Sequence, residues 1–241
     1  MKKRTSPTPK TQDTLFSTPF SAAYWKDAAA SLCSTRILTT AALLCAVCAL
    51  VDVFFIPVGG SFLRISFSFI ISGLISLIGG PVLAIPAGFL VDLLSFMFSG
   101  GDPSGYFPGY ALWSMCSFFL FALFFYRAKL SLARIFTARL SVNVLINVLL
   151  GSFWKQILYG KAYIVYFISG SIKNIALLPA EVFLMLLLYR RLVPLLVKMK
   201  LIPPAMEITQ TKTRDYIICG IATVVGIAVL IGYYYYKQQA A

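Results

Sequence analysis

Hydrophobic residues in this chain gather into long runs that are separated by short polar or basic segments. The first six runs cover about residues 37–57, 62–81, 82–98, 106–126, 140–158 and 162–188. Most are close to the ~20 residues that an α-helix needs to cross the hydrocarbon core of a bilayer. The pattern therefore predicts an all-α integral membrane protein built around a six-helix transmembrane bundle.

A seventh apolar run covers residues 216–236 and contains three glycines at six-residue spacing. Small residues allow helices to pack closely in a membrane. We therefore expect an extra C-terminal transmembrane helix within residues 216–241. A linker at residues 201–215 would join it to the bundle domain at residues 36–200.

Residues 1–35 start with basic side chains, but no apolar run follows directly, as it would in a signal peptide. The prolines and threonines of this segment predict a solvated cytoplasmic N-terminal tail. Its aromatic residues allow the alternative that part of the tail lies on the membrane surface; they are Phe16, Phe20, Tyr24 and Trp25.

Basic residues are concentrated in both tails and after the fourth run, at Arg127, Lys129, Arg134 and Arg139. Because Lys and Arg favour the cytoplasmic side of membrane proteins, the N-terminus is expected inside. Loops 1–2, 3–4 and 5–6 would then lie outside, and the seventh helix would place the last residues outside.

The composition agrees with a membrane protein. Of the 241 residues, 59% are hydrophobic and 12% are charged, whereas soluble domains have about 25% charged residues. The net charge of +13 would suit nucleic acid, but its position in tails and one loop follows the positive-inside rule instead. We expect the lipid bilayer, and no nucleic acid, as a partner.

The chain contains no histidine, which removes the side chain most used in acid–base catalysis and metal binding. It also lacks the Gly-x-x-x-x-Gly-Lys-Ser/Thr sequence of a nucleotide-binding loop. The sequence therefore predicts a protein that is not an enzyme and holds no metal or cofactor. Any use of ATP would depend on partner proteins.

Ionisable side chains inside predicted spans are informative because each costs roughly 2.5–3.5 kcal/mol on insertion scales. Asp92 and Glu181 are acidic, and four basic residues converge on the outer half of the bundle: Arg64, Lys155, Lys161 and Lys173. This excess of positive charge predicts an outward-facing cavity for an anionic ligand. The alternative is internal pairing, in which Asp92 neutralises Lys173 or Arg64.

Aromatic and amide side chains accompany these charges. Four aromatic residues could stack on or wall a flat heteroaromatic ring: Phe67, Tyr106, Phe107 and Trp154. An interfacial aromatic belt is the alternative, and it is the commoner use of a residue such as Trp154. Asn143 and Asn147 are four residues apart, so they are expected on one face of the fifth helix.

Six features, taken in order, carry a resemblance to a known family: Ala42-Leu-Leu-Cys-Ala46, Leu63-Arg-Ile-Ser-Phe-Ser-Phe69, Gly79-Gly-Pro81 with Asp92 after it, Tyr106-Phe-Pro-Gly109, Asn143-Val-Leu-Ile-Asn147 and Lys173-Asn-Ile-Ala-Leu-Leu-Pro179. Together they resemble the substrate-binding S components of energy-coupling-factor (ECF) vitamin transporters, and within these the folate group. The resemblance covers about residues 36–200. Its most specific parts are the Arg-Ile-Ser-Phe-Ser-Phe and Tyr-Phe-Pro-Gly segments.

The resemblance implies a six-helix bundle in a bacterial cell membrane, with a folate pocket open to the outside. Its partners would be a transmembrane coupling subunit, which docks on the face around Ala42 and Ala46, and two ATPases. Folate joins a flat pteridine to an anionic glutamate, which suits aromatic walls and positive charge. The expected ligand-binding residues are Arg64, Phe67, Tyr106, Phe107, Asn147, Trp154, Lys173 and Asn174.

Other functions stay open at this point. The same architecture could bind pantothenate, riboflavin or thiamine, although the outer positive charge disfavours thiamine, which is a cation. An integral membrane enzyme, a structural membrane scaffold and a stand-alone secondary transporter are alternatives of other classes.

Overall fold

The computed structural model describes residues 15–16, 19, 21–54, 56–57, 64–100, 105–160, 162–206, 208 and 213–239. Its helices are α1 (Ala22–Ser31), α2 (Thr35–Val53), α3 (Ser68–Phe98), α4 (Pro108–Phe125), α5 (Leu132–Ser141), α6 (Gly151–Tyr159), α7 (Tyr163–Lys198) and α8 (Thr213–Gln239). A π-helix, Val142–Leu150, joins α5 to α6, and a 3₁₀ turn lies at Pro204–Met206. Between α2 and α3, the two-residue strands β1 (Ile56–Pro57) and β2 (Arg64–Ile65) pair antiparallel.

Six helical segments of the described chain are long and apolar enough to cross a membrane. They are Thr35–Val53, Ser68–Phe98, Pro108–Phe125, Leu132–Tyr159, Tyr163–Lys198 and Tyr216–Tyr233. The predicted all-α membrane fold is therefore confirmed, and the short β ladder is a local addition to it. The span predicted at residues 140–158 corresponds to Leu132–Tyr159. It starts earlier than predicted because α5, the π-helix and α6 are continuous.

The α3 helix reverses direction at Gly80, where φ is 68° and ψ is −175°. Glycine adopts this conformation readily, and other residues do so at a cost. Before the break, Ser76 donates a hydrogen bond of 2.8 Å to the Phe118 carbonyl. After the break, Gly88 packs against the backbone of Met115 on the same helix. Because both limbs lie along one stretch of α4, they run side by side and form the predicted second and third spans.

The first limb of α3 also packs closely on α7. The Tyr189 hydroxyl donates a hydrogen bond of 3.0 Å to the Ile70 carbonyl, and the side chain is fully buried. Gly73 makes room for this contact, since a Cβ there would collide with the Tyr189 hydroxyl. The main hydrophobic core is formed where α3, α4, α5 and α7 meet.

Helix α1 packs against the bundle at the turn between the two limbs of α3. Tyr24 and Ala28 are buried, and the Tyr24 hydroxyl donates to the Ala122 carbonyl at 3.1 Å. The Ser31 hydroxyl donates to the Gly79 carbonyl at 2.9 Å. The prediction of a solvated tail is therefore wrong for this helix. Its buried positions are too few and too widely spaced to form a continuous apolar run.

An ion pair strengthens the attachment of α1. The Asp27 carboxylate accepts hydrogen bonds from the Tyr126 hydroxyl (2.8 Å) and from Arg127 Nε (2.9 Å). Burial, together with the nearby Asp27 charge, raises the pKa of Tyr126 above its usual value, so the phenol stays a donor. Helix α1 is thus joined by side-chain bonds to the segment that follows α4.

Helix α8 packs on α7 and runs antiparallel to it. Near the start of α8, the Tyr216 hydroxyl accepts a hydrogen bond of 2.8 Å from Arg190. Further along α8, Gly226 lies directly on the Ala176 carbonyl. From the first contact to the second, the chain advances ten residues in α8 and goes back fourteen residues in α7, so the two helices are antiparallel. The side chains of residues 234–239, which include three of the four terminal tyrosines, lie outside the described part.

Candidate ligand site

Aromatic rings from two helices meet where α4 begins. Phe107 precedes the first turn of α4, and its ring contacts Trp154 of α6 edge-on, with centroids 5.5 Å apart. Gly109 allows this approach, because a Cβ there would collide with Phe107 and come within 2.8 Å of the Trp154 ring. Trp154 Nε1 is buried and has no hydrogen-bond acceptor among the described residues. Phe107 and Trp154, two of the predicted site residues, are therefore in contact, and the indole N–H of Trp154 is a donor that a ligand could use.

Tyr106 precedes Phe107 in the chain and is held by two residues of α3. Its hydroxyl donates a hydrogen bond of 2.8 Å to Asp92 Oδ2, and its ring packs edge-on against Phe96. Burial, with a further contribution from Asp92, raises the pKa of Tyr106 to about 12. Asp92 therefore has a phenol as a described partner, rather than the Lys173 or Arg64 considered from the sequence.

Three amide side chains form a cluster between the π-helix and α7. Asn147 Nδ2 donates to Asn143 Oδ1 at 2.7 Å and approaches Asn174 Oδ1 at 3.5 Å. Asn174 is buried and donates to the Gly170 carbonyl at 2.8 Å. The prediction that Asn143 and Asn147 share one face is confirmed. The sequence did not indicate a π-helix here, although such distortions occur often at functional sites.

A buried ion pair lies next to Asn143. Arg139 binds Glu181 through two hydrogen bonds, from Nε to Oε2 (2.8 Å) and from Nη2 to Oε1 (2.7 Å). Asn143 Nδ2 also donates to Oε2, at 2.8 Å. The Arg139 guanidinium lies 4.2 Å from the centre of the Phe69 ring. Arg139 was expected in the basic stretch before the fifth span, but it is a buried residue of α5. Glu181 is its partner there, and the Phe69 ring lies against it.

Further cationic side chains lie near this ion pair. Lys173 interacts electrostatically with Glu181, and also with Arg139 and Lys155, so three basic residues are grouped in this part of the bundle. A site of this composition favours an anionic ligand group.

Arg64, Phe67 and Lys161 are the remaining residues that were considered for the site. Arg64 is in strand β2, before α3 begins, so it is not within a helix as predicted, and its side chain lies outside the described part. Phe67 is next to the start of α3, and its side chain is 39% exposed. Lys161 lies outside the described residues.

Asp52 is a partly buried residue that links two helices and has no signal in the sequence. Its Oδ1 accepts hydrogen bonds from the Ser66 hydroxyl (2.9 Å) and from the Ser68 hydroxyl (2.8 Å). These bonds tie the end of α2 to the start of α3. Three residues of one hydrogen-bonded group, separated by a loop, give no local signal in the sequence.

Ala42 and Ala46 lie on the exposed face of α2. The opposite face is buried against α3 and α4 through Ala41, Cys45, Cys48 and Ala49. The pair is therefore accessible, as a docking face requires.

The helical bundle and its similarity to known proteins define a membrane-embedded substrate-binding subunit. The folate transporter FolT of Clostridium novyi (strain NT) is 33% identical to this chain over 126 residues, which are 52% of this chain and 72% of that protein. The chain belongs to this family, the folate group of ECF S components.

Two solved structures support the same assignment. A crystal structure of FolT bound with folic acid matches with a TM-score of 0.55 and 29% identity, and the match covers 61% of this chain and 88% of that one. A structure of the S component of a bacterial ECF transporter matches with a TM-score of 0.50 and 26% identity, over 67% and 97% of the two chains. No family model matches the chain.

The family assignment settles several predictions. The chain is a substrate-specific subunit of an ECF transporter and a multi-pass protein of a bacterial plasma membrane. Its relatives are transport proteins, which confirms the prediction that it is not an enzyme.

Proposed function

We propose that this S component binds folate in an outward-facing pocket and delivers it to an ECF transporter. The observation that carries this proposal is that one continuous helical segment, residues 132–159, places Trp154 against Phe107 and Asn147 in the asparagine cluster, with Lys173 next to Asn174 on α7. Folate combines the two chemistries that such a site would accept, a flat heteroaromatic ring and carboxylates. The folic acid bound by the related FolT supports this choice.

Each group of the site has a role in this proposal. Lys173 and Arg64 engage polar or anionic groups of the ligand. Asn147 and Asn174 hydrogen-bond it, and the rings of Phe67, Tyr106, Phe107 and Trp154 wall it. A ligand acceptor near Trp154 would satisfy the indole N–H, which has no acceptor among the described residues.

We further propose that the exposed Ala42–Ala46 face docks on a transmembrane coupling subunit, which works with two ATPases. Small residues let a partner helix approach the backbone of α2 closely. Helix α8 packs on α7, where Gly226 lies on Ala176, so docking at the exposed face of α2 does not require α8 to be displaced.

The first test is ligand identity. Small molecules released from the detergent-purified protein are identified by mass spectrometry, and the emptied protein is titrated with folate, pantothenate, riboflavin and thiamine. Folate binding near one-to-one supports the proposal. Selective binding of another vitamin would replace the substrate, and binding of none would remove the proposed function.

Lys173→Ala then tests the charge in the site. Loss of a hydrogen bond to a charged group costs about 1.5–3 kcal/mol, so folate affinity should fall about tenfold or more. Lys198→Ala is the matched control, because Lys198 is an exposed lysine at the far end of the same helix. Equal affinity of the two variants would contradict the role given to Lys173.

A further inference from the structure

The hydrogen bonds of the buried cluster have a fixed direction. Glu181 accepts two bonds from Arg139, and an ionised carboxylate can only accept. The group of Asn143 that lies 2.8 Å from Glu181 Oε2 must therefore be its NH₂. The carbonyl oxygen of Asn143 is consequently turned away from Glu181.

This direction passes on to the next amide. Because Asn143 presents its oxygen, the atom of Asn147 at 2.7 Å must be a donor, Nδ2. Asn147 Oδ1 then points away from the cluster, and no donor among the described residues bonds to it. Asn147 is only partly buried. The NH₂ of Asn174 is used by the Gly170 carbonyl, and its oxygen faces Asn147 Nδ2 at 3.5 Å, so Asn147 Oδ1 is the acceptor of this cluster that is left for a ligand.

We propose that Arg139 and Glu181 are positioning residues that set the direction of this amide chain, so that Asn147 presents a hydrogen-bond acceptor to the ligand. This inference rests on the proposed function. The matching ligand group is the pteridine edge that carries N3–H and the 2-amino group, since both are donors. A ring with an unprotonated N3 would place an acceptor against an acceptor and would be disfavoured.

Two features explain why a buried ion pair serves this purpose. A lone asparagine can rotate its amide at little cost, so it accepts either a donor or an acceptor. A carboxylate cannot invert in this way. The bidentate bond from Arg139 also holds the carboxylate in one orientation, and both residues are buried. The chain of amides thus inherits a polarity from an ion pair that need not touch the ligand.

The test is Glu181→Gln, which keeps the volume of the side chain. Glutamine has one acceptor where the carboxylate has two, and its amide can turn either its oxygen or its NH₂ toward Asn143. The direction of the amide chain would then no longer be fixed, and Asn147 could present its NH₂ to the ligand. The measurement is the dissociation constant of the purified full-length protein for folate and for aminopterin, whose 4-amino ring has an unprotonated N3.

In the wild type, folate should bind more tightly than aminopterin. In Glu181→Gln, the ratio of the two affinities should shift toward aminopterin by about tenfold or more, because a mismatched buried polar group is that costly. The matched control is Asp27→Asn, which neutralises the carboxylate of the other arginine pair and should leave the ratio unchanged. An equal loss of both affinities, or an unchanged ratio in Glu181→Gln, would overturn the inference.

A second variant covers the case in which Glu181→Gln does not fold. Asn143→Leu interrupts the amide chain without a change of charge and should shift the ratio in the same direction. An unchanged ratio there would also overturn the inference. If the wild type binds neither ligand, the proposed function fails, which distinguishes that failure from a wild type that binds folate with an invariant ratio.

Discussion

Two arginine–carboxylate pairs occupy different regions of this protein. Arg127 and Asp27 meet at the edge of the bundle, where their bond and that of Tyr126 attach α1 to the segment after α4. Arg139 and Glu181 meet inside the bundle, and Glu181 also accepts a bond from Asn143. The first pair joins two pieces of chain, whereas the second is bonded to Asn143 and through it to Asn147. The comparison teaches that similar chemistry attaches a helix at the edge and connects to an amide network in the interior, where we propose that it orients the ligand site.

The largest effect is expected from Arg139→Met. It leaves the Glu181 carboxylate in the interior without its cation, and breaking a buried pair in this way costs about 3–5 kcal/mol. The measurement is the unfolding midpoint of the detergent-purified protein. Arg127→Met is the control, and a loss as large as that of Arg139→Met would remove the distinction between the two pairs.

The double change Arg139→Met with Glu181→Met separates stability from binding. Apolar side chains of similar size often replace a buried pair without loss of stability, so the unfolding midpoint should return close to that of the wild type. Folate affinity should still fall, by about tenfold, because Asn143 has lost the carboxylate that orients it. Full recovery of folate binding would show that the interior pair serves the fold alone.

A smaller effect is expected from Asp27→Ala. It removes bonds from Arg127 and Tyr126 at the edge, and such bonds contribute about 1 kcal/mol each. The unfolding midpoint should fall modestly, with no change in folate affinity beyond the error of a calorimetric titration. A clear loss of affinity would mean that α1 influences the ligand site.

Features with a local cause could be predicted from the sequence. Apolar runs of sufficient length identified the spans, and Gly79-Gly80-Pro81 identified the reversal, because glycine and proline act on the backbone where they stand. The spacing of Asn143 and Asn147 was enough to place them on one face. These predictions needed no knowledge of distant parts of the chain.

Features that depend on distant partners could not be predicted. Arg139 looked cytoplasmic because its neighbours in sequence are basic, while its carboxylate partner is 42 residues away. The burial of Tyr24 likewise depends on Ala122, 98 residues later. Charge patterns report the average position of a segment, and they are overruled when one side chain finds a partner inside the bundle.

The contact between Gly226 of α8 and Ala176 of α7 shows how a helix can be added at the end of a membrane protein. Gly226 is the one buried position among the described side chains of α8, so the helix is held mainly along one line of close packing. In water, uncovering an apolar face is costly, but lipid tails solvate the same face about as well as another helix does. A terminal helix can therefore be gained or lost in a membrane without redesign of the bundle that it accompanies.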